Sequence, residues 1–145
     1  MSEVAETSTR KRRSRLPAGR VGTQLVVKEL LGLGFDARPA DNYTMKYDLL
    51  VNFGGMYSKQ VQVRTTHLSP WYVRIKSLVT AGDQVTVYVL LGRERVEPAR
   101  FFPTRNSDVV SDLRQPSEWN KFGFVDIVSV ERYENSWDIL KRDTE

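Results

Sequence analysis

The chain of 145 residues contains no cysteine and one histidine, His67. Without cysteine there is no disulfide bond, no thiolate zinc site and no cysteine nucleophile, a composition typical of the reducing cytoplasm. A single histidine also excludes a metal site built from two or more histidines of one chain. His67 follows a strand-like segment, a position more typical of a loop residue than of a catalyst.

Long apolar runs are absent as well. No segment approaches the roughly 20 apolar residues that a membrane-spanning helix needs, and the first residues lack the apolar core of a signal peptide. The hydrophobic fraction of 40% is still enough for one core. We therefore expect a soluble, cytoplasmic protein with no membrane partner.

Positive charge is concentrated near the N-terminus. Residues 1–20 carry six of the 22 basic residues but two of the 18 acidic ones, so the rest of the chain is balanced. The six are Arg10, Lys11, Arg12, Arg13, Arg15 and Arg20. Residues 1–18 lack apolar periodicity, which predicts a disordered basic arm before a single domain over residues 19–145. Since Lys and Arg displace counterions from phosphates, the arm is interpreted either as a nucleic-acid-binding segment or as a solubilising tail.

The order of apolar patterns predicts a mixed α/β sandwich. Apolar residues recur at helical spacing from Arg20 to Leu33, and Gly34 is placed as the residue that ends the helix. Strands are predicted at residues 35–38, 71–75 and 99–103, and the apolar run 84–91 predicts a strand buried on both faces. A helix start is indicated at Asn106 or Ser107.

Residues 47–66 predict a β-hairpin. Two apolar runs are separated by Gly54-Gly55, and the acid Asp48 opens the first run. Strand alternation sends Gln62 and Arg64 to one face and the valines between them to the other. Pairing of the strands would bring Asp48 near both. Taken alone, Asp48 is more typical of an exposed residue that fixes a turn, and Gln62 and Arg64 are equally compatible with a solvent-facing polar side.

An acid on one strand facing Gln62-Val63-Arg64 on the next resembles the core of the PD-(D/E)XK nuclease superfamily. Asp48 takes the place of its first acid, and Gln62-Val63-Arg64 takes the place of (D/E)XK. The pattern over residues 21–35 looks like the opening helix of small resolvase-like or intron-endonuclease-like members, and residues 133–140 look like the closing helix. The resemblance covers residues 20–140. It implies a restriction-endonuclease-like α/β fold, with a mixed central β-sheet flanked by helices.

The active-site pattern of this family is degenerate here. Members of the subgroup usually carry a glutamate after the glycine of the first helix, where this chain has Thr23 and then Gln24. Gln62 replaces the second acid and Arg64 replaces the lysine. One carboxylate with one amide oxygen binds Mg²⁺ more weakly than several carboxylates do, and arginine cannot release a proton near neutral pH.

The resemblance therefore implies a DNA-binding protein, either a weak Mg²⁺- or Mn²⁺-dependent endonuclease or a catalytically degraded relative. In an active hydrolase, Asp48 and Gln62 would hold the metal, and Arg64 would stabilise the negative charge that develops on the phosphorane oxygens. Related nucleases often work as dimers, so a homodimer is compatible with the resemblance. The alternative is a non-enzymatic module whose strands bind another protein.

Further residues are predicted to extend a nucleic-acid surface. Thr65 offers a hydroxyl to phosphate, and Arg74 and Lys76 share a strand face that would continue the basic surface from Arg64. For each of them the alternative is an ordinary strand residue or a solvated side chain. Among the tryptophans, Trp71 and Trp137 are predicted to lie in the core, and Trp119 is predicted to be exposed.

Overall fold

A computed structural model describes residues 18–40, 48–53, 57–92, 98–113 and 121–141. The predicted arm, the Gly54-Gly55 turn and Trp119 lie outside these residues. The described elements are, in chain order, α1 (Ala18–Gly32), β1 (Asp36–Pro39), β2 (Leu49–Asn52), β3 (Ser58–Thr66), β4 (Trp71–Arg74), α2 (Ile75–Thr80), β5 (Val85–Leu90), β6 (Arg100–Arg105), α3 (Asn106–Val110), β7 (Phe122–Val125) and α4 (Ile127–Val130), followed by 3₁₀ turns at Glu131–Tyr133 and Trp137–Leu140. Among these helices none has the length and apolar character needed to cross a membrane.

The described strands form one sheet of five and one of two. The large sheet has the order β1-β2-β3-β5-β6, with β3 and β5 parallel and the other neighbours antiparallel. β5 is an inner strand whose first five residues are buried, as its continuous apolar sequence predicts. The predicted mixed α/β fold is confirmed.

Helix α1 ends where the glycine signal predicts. Gly34 has a φ of 96°, in the left-handed region that glycine adopts without a Cβ clash. The amide of Phe35 donates to the carbonyl of Leu30 at 2.9 Å, and the amide of Gly34 donates to that of Leu31 at 3.1 Å. These two bonds are the Schellman pattern, which satisfies carbonyl groups at a helix end. The chain is thereby turned directly into β1.

One face of the large sheet is covered by α1 and by the last 3₁₀ turn. Val26 and Leu30 of the helix and Leu140 of the turn are fully buried there against valines of β2, β3 and β5. Each such aliphatic side chain contributes about 1.5–3 kcal/mol when it is removed from water. Trp137 is buried in the same core, as predicted.

The other face of the large sheet is covered over its β5–β6 half. The small sheet β4–β7 packs there through Trp71, whose ring lies edge-on 5.3 Å from Tyr88 and 5.9 Å from Phe102. The buried indole of Trp71 donates to the carbonyl of Val89 at 2.9 Å, which confirms its predicted core position. The short helices complete this second core with Leu78, Val109 and Val130.

Two predictions of local structure are wrong in detail. The strand predicted over residues 71–75 ends at Arg74, where helix α2 begins. The closing helix predicted over residues 133–140 is divided, because Asn135 adopts a φ of 58° and its amide donates to the carbonyl of Phe101. A bidentate pair from Arg100 to Glu134, at 2.9 and 3.0 Å, also fixes this break. Contacts with β6 therefore replace helical bonds.

The helix predicted near Asn106 begins there, and its N-cap residue is Arg105. The buried side chain of Asn106 does not cap the helix but connects it to β5 and to the turn after α2. Its Oδ1 accepts from the hydroxyl of Thr86 at 2.6 Å, and its Nδ2 donates to the carbonyl of Ala81 at 2.8 Å. The polar group is thus satisfied inside the core.

Candidate functional site

The pairing of β2 with β3 brings the three predicted site residues together. Leu49, the first residue of β2, pairs with Val61. Asp48 comes just before it, and its carboxylate accepts from the amide of Val63, which lies between Gln62 and Arg64. Gln62 and Arg64 share one face of β3, because side chains two residues apart along a strand point to the same side. The three residues therefore meet at the start of β2.

Asp48 connects the two strands with its side chain. Its Oδ2 accepts a hydrogen bond from the amide of Val63 at 2.8 Å, and its own amide donates to the carbonyl of Val61 at 2.9 Å. The carboxylate thus extends the pairing of the two strands by one residue before the first residue of β2. Its negative charge is half-buried and one of its oxygens is already engaged.

Arg64 supplies positive charge to this face. Its Nη1 donates to the carbonyl of Val63 at 3.3 Å, and within the described part of the chain no carboxylate pairs with it. Across the parallel pair it lies opposite Tyr88 of β5. Burial raises the pKa of the Tyr88 phenol, and the nearby charge of Arg64 opposes that rise with a smaller effect. Tyr88 therefore stays protonated near neutral pH and cannot serve as a base here.

The β1–β3 half of this face is more open than the half under the small sheet. Arg38, Leu50 and Gln60 form a row across three strands, and Arg38 and Gln60 are exposed. An open cavity of about 460 Å³ lies between Gln60 of β3 and residues 80–84. The sheet thus forms a shallow floor, and the end of α2 with the turn that follows it forms one wall. Sequence reasoning missed Arg38, because its position depends on strand register.

The residues of the floor do not fit a tightly held divalent ion. Such an ion prefers several carboxylate oxygens, and the described residues contain no cluster of three or more histidine, aspartate or glutamate side chains. One Asp48 oxygen accepts from Val63, and the adjacent Val63 carbonyl accepts from Arg64. A guanidinium also repels a cation. The described residues therefore do not supply the set of oxygen ligands that a catalytic divalent ion needs.

The first turns of α1 approach β3 closely at Thr65. A Cβ added to Gly22 would overlap the Thr65 hydroxyl and would lie 2.9 Å from its Cβ and 3.0 Å from its Cγ2. The Thr65 hydroxyl oxygen is buried, so the prediction that it contacts phosphate is wrong for this conformation. Thr23 follows Gly22 and thus lies near the strand end beyond Arg64, whereas Gln24 is exposed.

The basic residues predicted to extend the surface lie elsewhere. Arg74 projects from the outer face of the small sheet, with its guanidinium carbon 5.1 Å from the centre of the Phe122 ring. Lys76 is in α2, so the prediction that it shares a strand face with Arg74 is wrong. Arg20 is exposed in the first turn of α1. The remaining predicted contacts, Arg10 to Arg15, lie outside the described residues.

Comparison with known proteins places the fold. No family model and no curated protein sequence matches the chain. Among solved structures, it is similar to the Holliday junction resolvase Hjc of Archaeoglobus fulgidus, with 19% identity and a TM-score of 0.50 over 80% of this chain and 89% of that one. It is also similar to the bacterial homing endonuclease I-Ssp6803I, with 17% identity and a TM-score of 0.52 over 83% and 87%. The restriction-endonuclease-like fold that the sequence predicts is thus confirmed.

Proposed function

We propose that the chain is a DNA-binding protein that uses a PD-(D/E)XK nuclease fold without efficient cleavage. The observation that carries the proposal is Arg64, a half-buried cation on the open sheet face that makes no ion pair within the described residues. Fold similarity to a junction resolvase and a homing endonuclease supports DNA as the partner.

The floor of the site offers groups suited to a phosphate backbone. Arg64 can donate from its free guanidinium nitrogen, and Gln62 on the same face can donate from its amide. Arg38 adds a second exposed cation on that side of the sheet. Backbone contacts of this kind fix the position of DNA without reading its sequence.

Cleavage is disfavoured by the same arrangement. With Asp48 tied to Val63 and arginine in place of lysine, the site has one carboxylate and no group that can exchange a proton near neutral pH. Weak endonuclease activity with Mg²⁺ or Mn²⁺ is the alternative within the same fold. It would show as nicking of duplex or branched DNA that Asp48→Ala abolishes.

Fluorescence anisotropy over a salt series tests the proposal. Duplex DNA and a four-way junction would be titrated with wild type, Arg64→Ala and Lys28→Ala. Lys28 is an exposed cation on α1, on the opposite side of the sheet. Loss of one phosphate contact lowers the slope of log K against log salt by about 1.

We expect this loss for Arg64→Ala and an unchanged slope for Lys28→Ala. Equal effects of both substitutions would show that binding depends on net charge alone and not on this face. Absence of DNA binding even at low salt would reject the proposal and favour a protein-interaction module.

A further inference from the structure

The outer face of the small sheet is aromatic. β4 and β7 pair so that Tyr72 lies opposite Phe124 and Arg74 lies opposite Phe122. The alternate residues of the two strands, Trp71, Val73, Gly123 and Val125, are buried toward the large sheet. Tyr72 is nevertheless 69% exposed and Phe122 is 44% exposed. Tyr72 and Phe122 therefore present aromatic rings on the face of the small sheet that points away from the core.

These rings form a nearly continuous surface. The Tyr72 and Phe124 rings are 5.8 Å apart with an edge-on orientation, and Arg74 lies over the Phe122 ring at 5.1 Å. The guanidinium is thus held over the Phe122 ring by a cation–π contact. We call this surface, made of Tyr72, Arg74, Phe122 and Phe124, the aromatic ribbon.

Basic residues outnumber acidic ones along the aromatic ribbon, where Asp126 follows the end of β7. Residues 71–76 and 121–125 are all described, and they contain Arg74, Lys76 and Lys121 but no aspartate or glutamate. All three cations are exposed. The amide of Ile75 donates to the carbonyl of Lys121 at 3.1 Å, which holds Lys121 at the end of the ribbon. The partner that fits combines flat apolar faces with negative charge.

Unpaired nucleotides have this combination. Single-stranded DNA presents base faces that stack on aromatic side chains and phosphates that pair with Lys and Arg. In a duplex the base faces are covered by neighbouring bases, so a stacking surface selects single-stranded segments, ends or branches.

The aromatic ribbon also lies on the same side of the large sheet as the candidate site. Trp71, on the inner face of β4, packs on Tyr88, and Tyr88 is the direct neighbour of Arg64 in the parallel pair. A single strand that leaves a duplex bound near Arg64 can therefore pass over the small sheet and contact the aromatic ribbon.

We propose that the aromatic ribbon binds unpaired nucleotides of a DNA strand, with bases stacked on Tyr72, Phe122 and Phe124 and phosphates near Arg74. This proposal rests on the DNA-binding function proposed above and narrows its substrate to DNA with a single-stranded or branched segment. It concerns a surface outside the Asp48–Arg64 face, so the two can be tested separately.

The test compares a labelled oligothymidylate with an abasic oligonucleotide of equal length, which has the same phosphates but no bases. Wild type should bind the oligothymidylate more tightly, and a Tyr72→Ala/Phe124→Ala variant should weaken that binding by about 5- to 100-fold while leaving the abasic oligonucleotide almost unaffected. Tyr72→Phe, which keeps a ring, should retain the preference. Val128→Ala, at an apolar residue that is 75% exposed on α4, is the matched control and should change neither affinity.

Equal binding of both oligonucleotides by wild type, or an unchanged ratio in the double variant, would overturn the proposal. If duplex binding still depends on Arg64 in that case, the proposed function stands and this inference alone fails. Sedimentation velocity tests whether a second copy of the chain covers the ribbon instead. A wild-type dimer that becomes a monomer in the double variant, with the ratio of the two oligonucleotide affinities unchanged, would make the ribbon a dimer interface. Thermal melting of each variant checks that the fold is intact.

Discussion

The amide of Val63 donates a 2.8 Å hydrogen bond to the carboxylate of Asp48, so an acid of the candidate site also completes the pairing of β2 with β3. Asp48→Ala removes the acceptor from a half-buried strand end. We expect a loss of about 1–3 kcal/mol in the free energy of unfolding, measured by urea denaturation. Asp48→Asn keeps an acceptor oxygen and should lose less. Equal stability of wild type and Asp48→Ala would show that this bond contributes nothing.

Close packing of α1 on β3 makes Gly22 sensitive to a single methyl group. Gly22→Ala should destabilise the protein by about 1–3 kcal/mol, since the added Cβ overlaps the Thr65 side chain. Gly32→Ala is the matched control, because nothing lies within 4 Å of a Cβ at that position and alanine favours the helix. Adding Thr65→Ala to Gly22→Ala should recover part of the loss. Urea denaturation of wild type, Gly22→Ala, Thr65→Ala and the double variant forms the necessary cycle.

Restoring the family pattern should restore its chemistry. The combined variant Thr23→Glu, Gln62→Glu and Arg64→Lys adds two carboxylates as metal ligands and places at residue 64 a lysine, whose proton is more easily released than that of arginine. We expect titration calorimetry to detect Mn²⁺ or Mg²⁺ binding that wild type lacks, together with metal-dependent cleavage of DNA. Adding Asp48→Ala should abolish both signals. Wild-type cleavage that Asp48→Ala does not affect would place the active site elsewhere.

The basic arm should govern the salt dependence of DNA binding. Deleting residues 1–17 leaves α1 intact from Ala18 and removes the five basic residues between Arg10 and Arg15. If all five contact phosphates, the slope of log K against log salt should fall by about 4 to 5. Deleting residues 1–9, which contain no lysine or arginine, serves as the control and should leave the slope unchanged. An unchanged slope in the longer deletion would remove the arm from the binding surface.

The ion pair between Arg100 and Glu134 should make stability depend on pH. The bidentate hydrogen bond from Arg100 lowers the pKa of Glu134 below its ordinary value. A carboxylate with a lowered folded-state pKa stabilises the fold above its unfolded value of about 4.3, and that contribution is lost as pH falls through the folded value. Wild type should therefore exceed Glu134→Gln in melting temperature near neutral pH, and the two should converge in acid. A constant difference across this range would contradict the assignment.

Much of the fold follows from local signals. The period of α1, the glycine at its end and the continuous apolar run of β5 are properties of short segments, so each could be predicted without knowledge of the rest of the chain. Helix α2 could not, because Ile75 and Val79 are β-branched and typical of strands. β4 stops at Arg74, where its pairing with Phe122 ends and α2 begins. That limit depends on a distant partner strand.

The candidate site also combines residues that the sequence could predict with residues that it could not. Asp48, Gln62 and Arg64 could be predicted from alternation along two neighbouring strands and from a family resemblance. Arg38 and the aromatic ribbon could not, because their positions depend on the register of β1 and on the pairing of β4 with a strand far along the chain. For Thr65, alternation along β3 already indicated the face of Val61 and Val63, and the structure shows its hydroxyl buried there against Gly22.

Alternation along β3 also separates the residues that pack in the core from the residues of the candidate site. Val61 and Val63 point into the core, whereas Gln62 and Arg64 point to the open face. Folding therefore constrains residues 62 and 64 less than it constrains the valines. Asp48 is under a second constraint, since its replacement leaves the Val63 amide without its acceptor. Under the proposed function, the sheet would still require the acid at residue 48 after selection for cleavage had ended, whereas residues 62 and 64 would be free to change.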